Sequence, residues 1–152
     1  MEIKDSYELP LSKERVWAAL NDEEFLKKSI PWCEKLERRS DTELEAAVKL
    51  KLGPMSTRFT GSITLSDIDP PNGYTITGSG KGGIAGAASG SAKVKLVEDK
   101  NTSSTTLSYE VSAQVKGKIA QLGSRLIQST AKKLSKNFFG SFVKQLEDMD
   151  KP

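Results

Sequence analysis

The sequence predicts an α+β domain in which a curved antiparallel sheet of about seven strands wraps around one long C-terminal helix, with two short helices after the first strand. Three observations predict it. Apolar residues recur with a period of two from Cys33 to about Lys116. Turn signals interrupt that run about every ten residues. After Gly117 the period becomes 3.6 for about thirty residues. At 152 residues the chain suits one domain, read as 1–152, that buries about 70% of the surface its unfolded form exposes.

Ile3, Tyr7 and Leu9 mark the first strand, which Pro10 ends. Ser12 can then cap a helix through KERVWAAL, with Val16, Trp17 and Leu20 facing inward. Asp22 can cap a second helix, DEEFLKKS, which must stop before Pro31 because the residue preceding proline is pushed out of helical dihedrals. The meander that follows is punctuated by Asp41, Gly53-Pro54, Asp69-Pro70-Pro71-Asn72-Gly73, a glycine cluster and Asp99-Lys100-Asn101. Alternation sets its inward residues: Leu44, Ala46, Val48 and Leu50; Phe59, Gly61, Ile63 and Leu65; Tyr74 and Ile76; Ala92, Val94 and Leu96; Leu107, Tyr109, Val111, Ala113 and Val115. The last element carries Ile119, Leu122, Leu126, Ala131, Leu134, Phe138, Phe142 and Leu146 as one stripe. A helix of that length, about 45 Å, needs a broad partner surface, and only the sheet offers one. This element order is that of the helix-grip, or START-like, architecture, in which a cavity commonly lies between sheet and helix.

Composition narrows the function. The net charge of +3 is too small for a nucleic-acid binder, although residues 116–152 carry +5 and residues 1–115 carry −2. No apolar run is long enough to span a membrane, and MEIKDSYELP does not read as a signal peptide, so a cytoplasmic protein is expected. Cys33 is the single cysteine and histidine is absent. The commonest metal ligand and the commonest general base are therefore missing. No nucleophile stands beside a base, and Asp5 reads as solvent-facing at a strand end, so no catalytic or metal-binding residue is assigned.

Gly78-Ser79-Gly80-Lys81-Gly82-Gly83 matches G-x-G-x-x-G, but IAGAASGSAKVKLVE after it alternates like a strand. Without a following helix the glycines cannot present helix amides to a pyrophosphate. Six of the twelve glycines lie within residues 78–90, which suits a bent or bulged hairpin at a sheet edge, space for a ligand, or close approach of another backbone. Trp17, Phe25, Trp32 and Met55 are expected to cluster around the short helices, with Trp32 at a cavity mouth. Gly123, Ser124, Ser129, Thr130 and Gly140 interrupt the helical stripe with little bulk, which leaves volume for a guest or permits close packing. Lys132, Lys133 and Lys136, with Arg125, form an exposed basic face. It reads as solvated, or as a weak footing on anionic lipid or an acidic protein.

Three stretches resemble the CoxG family of carbon monoxide dehydrogenase accessory proteins. They are Val16-Trp17-Ala18-Ala19-Leu20-Asn21-Asp22 continuing to Ile30-Pro31-x-Cys33-Glu34; Phe59-Thr60-Gly61 with Leu65-Ser66-Asp67-x-Asp69-Pro70-Pro71; and Gly78-x-Gly80-Lys81-Gly82-Gly83 with Gly117-Lys118-x-Ala120-Gln121-Leu122-Gly123-Ser124-Arg125-Leu126-Ile127. Trp32 stands where the family leads one to expect glycine. The resemblance implies a non-catalytic accessory protein of a molybdenum hydroxylase-type carbon monoxide dehydrogenase, peripheral at the inner face of the cell membrane and linking the enzyme to respiratory quinone. Members with a membrane-associating tail continue past the long helix, and this sequence ends at Pro152, so little direct anchoring is expected.

The residues themselves suit an apolar guest such as a menaquinone-like quinone or another isoprenoid lipid, bound without a covalent link. The expected lining is Trp32, Met55, Phe59, Ile63, Tyr74, Ile76, Leu122, Leu126 and Phe138. Two other readings remain: a ligand-free scaffold for the dehydrogenase or its maturation factors, which calls for a core without a cavity, and a cyclase or hydrolase, which calls for a buried polar group of perturbed pKa in the cavity.

Overall fold

The computed structural model describes residues 1–149. Strand β1 (Glu2–Leu9) leads into α1 (Lys13–Leu20) and α2 (Glu23–Ser29). The meander is β2 (Cys33–Arg38), β3 (Glu43–Leu52), β4 (Met55–Asp69), β5 (Gly73–Lys81), β6 (Ala87–Asp99) and β7 (Ser104–Lys116), and α3 (Ser124–Met149) closes the fold. The seven strands form one antiparallel sheet in the order β1-β7-β6-β5-β4-β3-β2.

Both short helices begin at the capping residues read from the sequence. The Ser12 hydroxyl accepts from the Arg15 amide, and the Asp22 carboxylate accepts from the Glu24 and Phe25 amides at 3.0 and 3.1 Å, meeting donors that a helix start leaves unpaired. Val16 and Leu20 are buried and Trp17 is half-buried, its ring 5.1 Å from that of Tyr74.

Two expectations about glycine are corrected. The predicted thirty-residue helix is broken: residues 118–122 form a 3₁₀ turn between Gly117 (φ 88°) and Gly123 (φ 93°), and α3 starts only at Ser124. Both glycines occupy left-handed backbone that other residues resist, so Ile119 and Leu122 leave the stripe of the long helix. The glycine-rich hairpin, in turn, is not at a sheet edge, because β5 and β6 lie in the middle of the sheet. Its missing side chains admit close neighbours: a Cβ on Gly82 would meet the Phe59 ring at 2.7 Å, and one on Gly86 would meet the Lys116 carbonyl oxygen at 1.9 Å. The dinucleotide-loop pattern falls on strand β5 and a turn of three residues, Gly83–Ala85, with no helix behind it.

Two apolar clusters result. The larger joins the helices to the sheet through Leu9, Val16, Leu107, Phe142 and Leu146, all almost fully buried. The smaller holds Leu52, Phe59, Ala85 and Ile119, with Leu50, Met55, Val115 and Leu122 packed against it. The alternation holds along most of the sheet; Ala47 departs from it, buried on the outer face opposite Lys35 beside a register shift in β2, as do Gly73 and Ser104 where β5 and β7 begin.

Candidate functional site

Helix α3 makes its closest approaches to α2, β1 and β3 and stands off the middle strands. The stand-off leaves a cavity of about 500 Å³ between α3 and the concave face, in the range of small-molecule sites. Its floor is Ile63, Ile76, Val94 and Val111, strand residues on inward parity that nevertheless remain only half-buried. Ala131, Leu134 and Phe138 of α3 form the roof, and Leu26 and Ile30 close one side. Phe139 stacks on Tyr7 at 4.2 Å and lies 5.9 Å from Tyr109, so one wall is a rigid aromatic stack.

Few polar atoms reach this space. The hydroxyls of Tyr109 and Ser135 share a hydrogen bond of 2.5 Å, and the Tyr74 hydroxyl donates to the Leu20 carbonyl at 3.4 Å. Arg38, also on the wall, is turned toward protein: it donates to the Asn21 carbonyl at 3.0 Å and pairs with Glu23 at 3.4 Å. A second, smaller cleft lies between β7, the 3₁₀ turn and the first turn of α3, and shares Met1 and Ala113 with the cavity. The cleft therefore borders the cavity beneath the start of α3.

Burial pushes the Tyr74 hydroxyl up to about 12 and also raises that of Tyr109. An ionised Tyr74 is disfavoured in the fold, so the unfolded chain loses this proton first as pH rises. Stability should hold below about pH 10 and then fall by up to about 3 kcal/mol as pH approaches 12. Tyr74→Phe should flatten part of that decline in urea titrations across this range, and equal slopes for the two proteins would contradict it. Burial raises the Cys33 thiol as well, which leaves it a poor nucleophile near neutrality.

Of the residues expected to line a pocket, the structure brings together Ile63, Tyr74, Ile76 and Phe138 around the cavity. Met55, Phe59 and Leu122 belong to the smaller cluster instead, because Phe59 packs flat under Gly82 and fills the volume the glycines leave. Leu126 reaches Gly53, where an added Cβ would lie 3.1 Å from its methyl group. Trp32 stands outside the cavity, 56% exposed, and neither it nor Met55 joins Trp17 and Phe25 at the short helices. At φ 56° it holds a conformation that favours glycine, at the position where the resemblance leads one to expect glycine.

Tyr109, Val111, Ala131 and Leu134 are walls absent from the expected lining, although periodicity places all four on inward faces. Leu26, Ile30 and Leu36 carry no signal beyond their hydrophobicity. Asp5 is exposed, but in the middle of β1 opposite Tyr109 rather than at a strand end. Among the described residues, no three His, Cys, Asp or Glu side chains gather to hold a metal ion, and no helix is long and apolar enough to cross a membrane.

Comparison with known proteins agrees with this architecture. A conserved protein from Geobacillus kaustophilus superposes with a TM-score of 0.91 and 30% identity, covering 97% of this chain and 96% of that one. A START superfamily protein from Mycobacterium smegmatis gives 0.72 at 12% identity, over 97% and 98% of the two chains. The Zhui aromatase/cyclase from a Streptomyces species gives 0.70 at 12% identity, over 97% and 93%. The last two show a shared fold alone. No curated protein matches the sequence. The family model of CoxG, a carbon monoxide dehydrogenase subunit, matches residues 6–147. A helix-grip chain matched over nearly its whole length in this way belongs to the CoxG family.

Proposed function

We propose that the protein is a non-catalytic carrier that takes up a quinone-like isoprenoid lipid beneath α3 and presents it to a carbon monoxide dehydrogenase at the membrane. The observation that carries this reading is the cavity of about 500 Å³, walled almost entirely by apolar and aromatic side chains. Its volume suits a quinone ring with the first part of an isoprenoid tail, and the cleft beneath the start of α3 gives the remaining tail a way out. The Tyr109 and Ser135 hydroxyls would offer a ring carbonyl its one donor. A ligand-free scaffold would be expected to fill such a volume, since empty apolar space costs stability. A cyclase or hydrolase would need a group that gains or loses a proton near neutrality. The tyrosines of the cavity are pushed away from that range by burial.

Native mass spectrometry of the purified protein and titration with a short-chain menaquinone analogue test the proposal. The expected result is a copurifying lipid or saturable binding of about one analogue per chain, at micromolar affinity or tighter (about −8 kcal/mol). Absence of both a copurifying lipid and saturable binding would remove the carrier role.

A further inference from the structure

At one end of the sheet the chain makes four connections: residues 30–32 before β2, the Gly53-Pro54 turn, the loop between β5 and β6, and the 3₁₀ turn after β7. Two of them hold large apolar side chains in solvent. Ile84, at the tip of the β5–β6 loop, is 86% exposed, and Trp32 is 56% exposed. Each is held by its backbone. The Gly82 amide donates to the Gly86 carbonyl at 2.8 Å and the Thr57 hydroxyl to the Gly82 carbonyl at 3.0 Å, which closes the loop beneath Ile84. Trp32 keeps a left-handed φ of 56° that is costly for a residue with a Cβ, while its carbonyl accepts from the Lys49 amide at 3.1 Å.

Charge separates along the same axis. Lys51, Lys81, Lys116, Lys118 and Arg125 all lie at this end and are exposed. Among the described residues none of the five is paired with a carboxylate. The opposite end is acidic, with Asp41 in the β2–β3 turn, Asp67, Asp69 and Asp99 at the ends of β4 and β6, and Glu23 and Glu24 at the start of α2. Ile68, also exposed, lies among those carboxylates.

We propose that the basic end docks on an anionic lipid bilayer, with Ile84 and Trp32 entering the headgroup region and the five cations facing lipid phosphates. Two apolar tips on separate loops, inside a cationic rim, suit a fluid surface that needs no matching shape. A protein interface would instead call for a contiguous apolar centre. The basic face of α3, Lys132, Lys133 and Lys136, supplies charge without an exposed apolar side chain to insert. Docking in this pose also sets the cleft between β7 and α3 against the lipid, a consequence that rests on the carrier reading.

The test is cosedimentation of the full chain with vesicles of equal parts phosphatidylcholine and phosphatidylglycerol, against phosphatidylcholine alone. Binding should require the anionic lipid and weaken with salt. Ile84→Asp combined with Trp32→Asp should weaken it about tenfold or more, as should Lys81→Glu combined with Lys118→Glu. Reversing Lys132, Lys133 and Lys136 together should change it by less than about threefold. Brominated phosphatidylglycerol should quench the wild-type tryptophan emission, and Trp32→Phe should abolish the quenching. All these positions are exposed, and thermal denaturation checks that the variants fold. Equal binding by the tip variants, loss through the α3 variant, or no vesicle binding by the wild type would overturn the proposal. A protein that binds the quinone analogue but not vesicles loses only the docking surface; one that binds vesicles but not the analogue loses only the carrier role.

Discussion

Replacing Ala131 with tryptophan is expected to abolish binding of apolar guests by at least about a hundredfold, or roughly 2.7 kcal/mol, while the protein stays folded. Ala131 lies in the roof of the cavity, on the stretch of α3 that stands off the middle strands. An indole at this position must project into the space a guest would take. Its burial adds stability at about 25 cal/mol per Å² of apolar surface removed from water. Crowding against the walls offsets this by about 1–3 kcal/mol. The melting temperature of the ligand-free variant should therefore match or exceed that of the wild type. What should vanish is the rise in melting temperature that the menaquinone analogue gives the wild type through preferential binding to the folded state. Val97→Trp, on the exposed outer face of β6, serves as the control and should keep the shift. Wild-type affinity in Ala131→Trp would place the guest elsewhere.

The choice of Ala131 shows what the sequence makes legible. Period two and period 3.6 assign faces, so Ile63, Ile76, Val94 and Ala131 are all recognisable as inward. Periodicity does not say how far along a strand an inward residue sits from the crossing helix. Phe59 and Ile63 share a face of β4, yet one packs under the glycine hairpin and the other borders the cavity. That depth depends on where α3 begins, which is decided by Gly123. Because Ile119, Leu122 and Leu126 keep helical spacing straight across this glycine, the stripe looks continuous and its break is silent. Its signature is a backbone angle, φ 93°, which composition cannot display. Trp32 is the converse case: a glycine expected from the resemblance marks the turn, and the tryptophan that occupies it faces solvent.

Phe142→Ala is expected to cost about 3–5 kcal/mol of stability, a large part of the roughly 5–15 kcal/mol typical of a domain. Phe142 is fully buried, 0% exposed, on the C-terminal half of α3. Its ring meets Phe25 edge-on at 5.2 Å and lies 5.6 Å from Phe138. One turn on, the Gln145 amide donates to the Ser29 hydroxyl, which in turn donates to the Phe25 carbonyl at 2.9 Å. These contacts clamp the C-terminal half of α3 onto α2. Among the described residues, the first turns of α3, residues 124–130, make no side-chain hydrogen bond of this kind, the nearest being that of Ser135 with Tyr109. Of their apolar residues Leu126 and Ile127 are only half-buried, and the chain enters them through two glycines in left-handed conformation. Leu126→Ala should thus cost less than about 2 kcal/mol, at or below the low end for a buried leucine. Chemical denaturation of both variants measures the contrast, and hydrogen exchange should find the amides of residues 124–130 less protected than those of residues 138–146. The carrier reading expects this contrast, because a guest that enters beneath the start of α3 needs that end of the helix to yield before the clamped end does. Equal costs for the two substitutions would instead describe a roof clamped along its whole length, with no route for a guest beneath the start of α3.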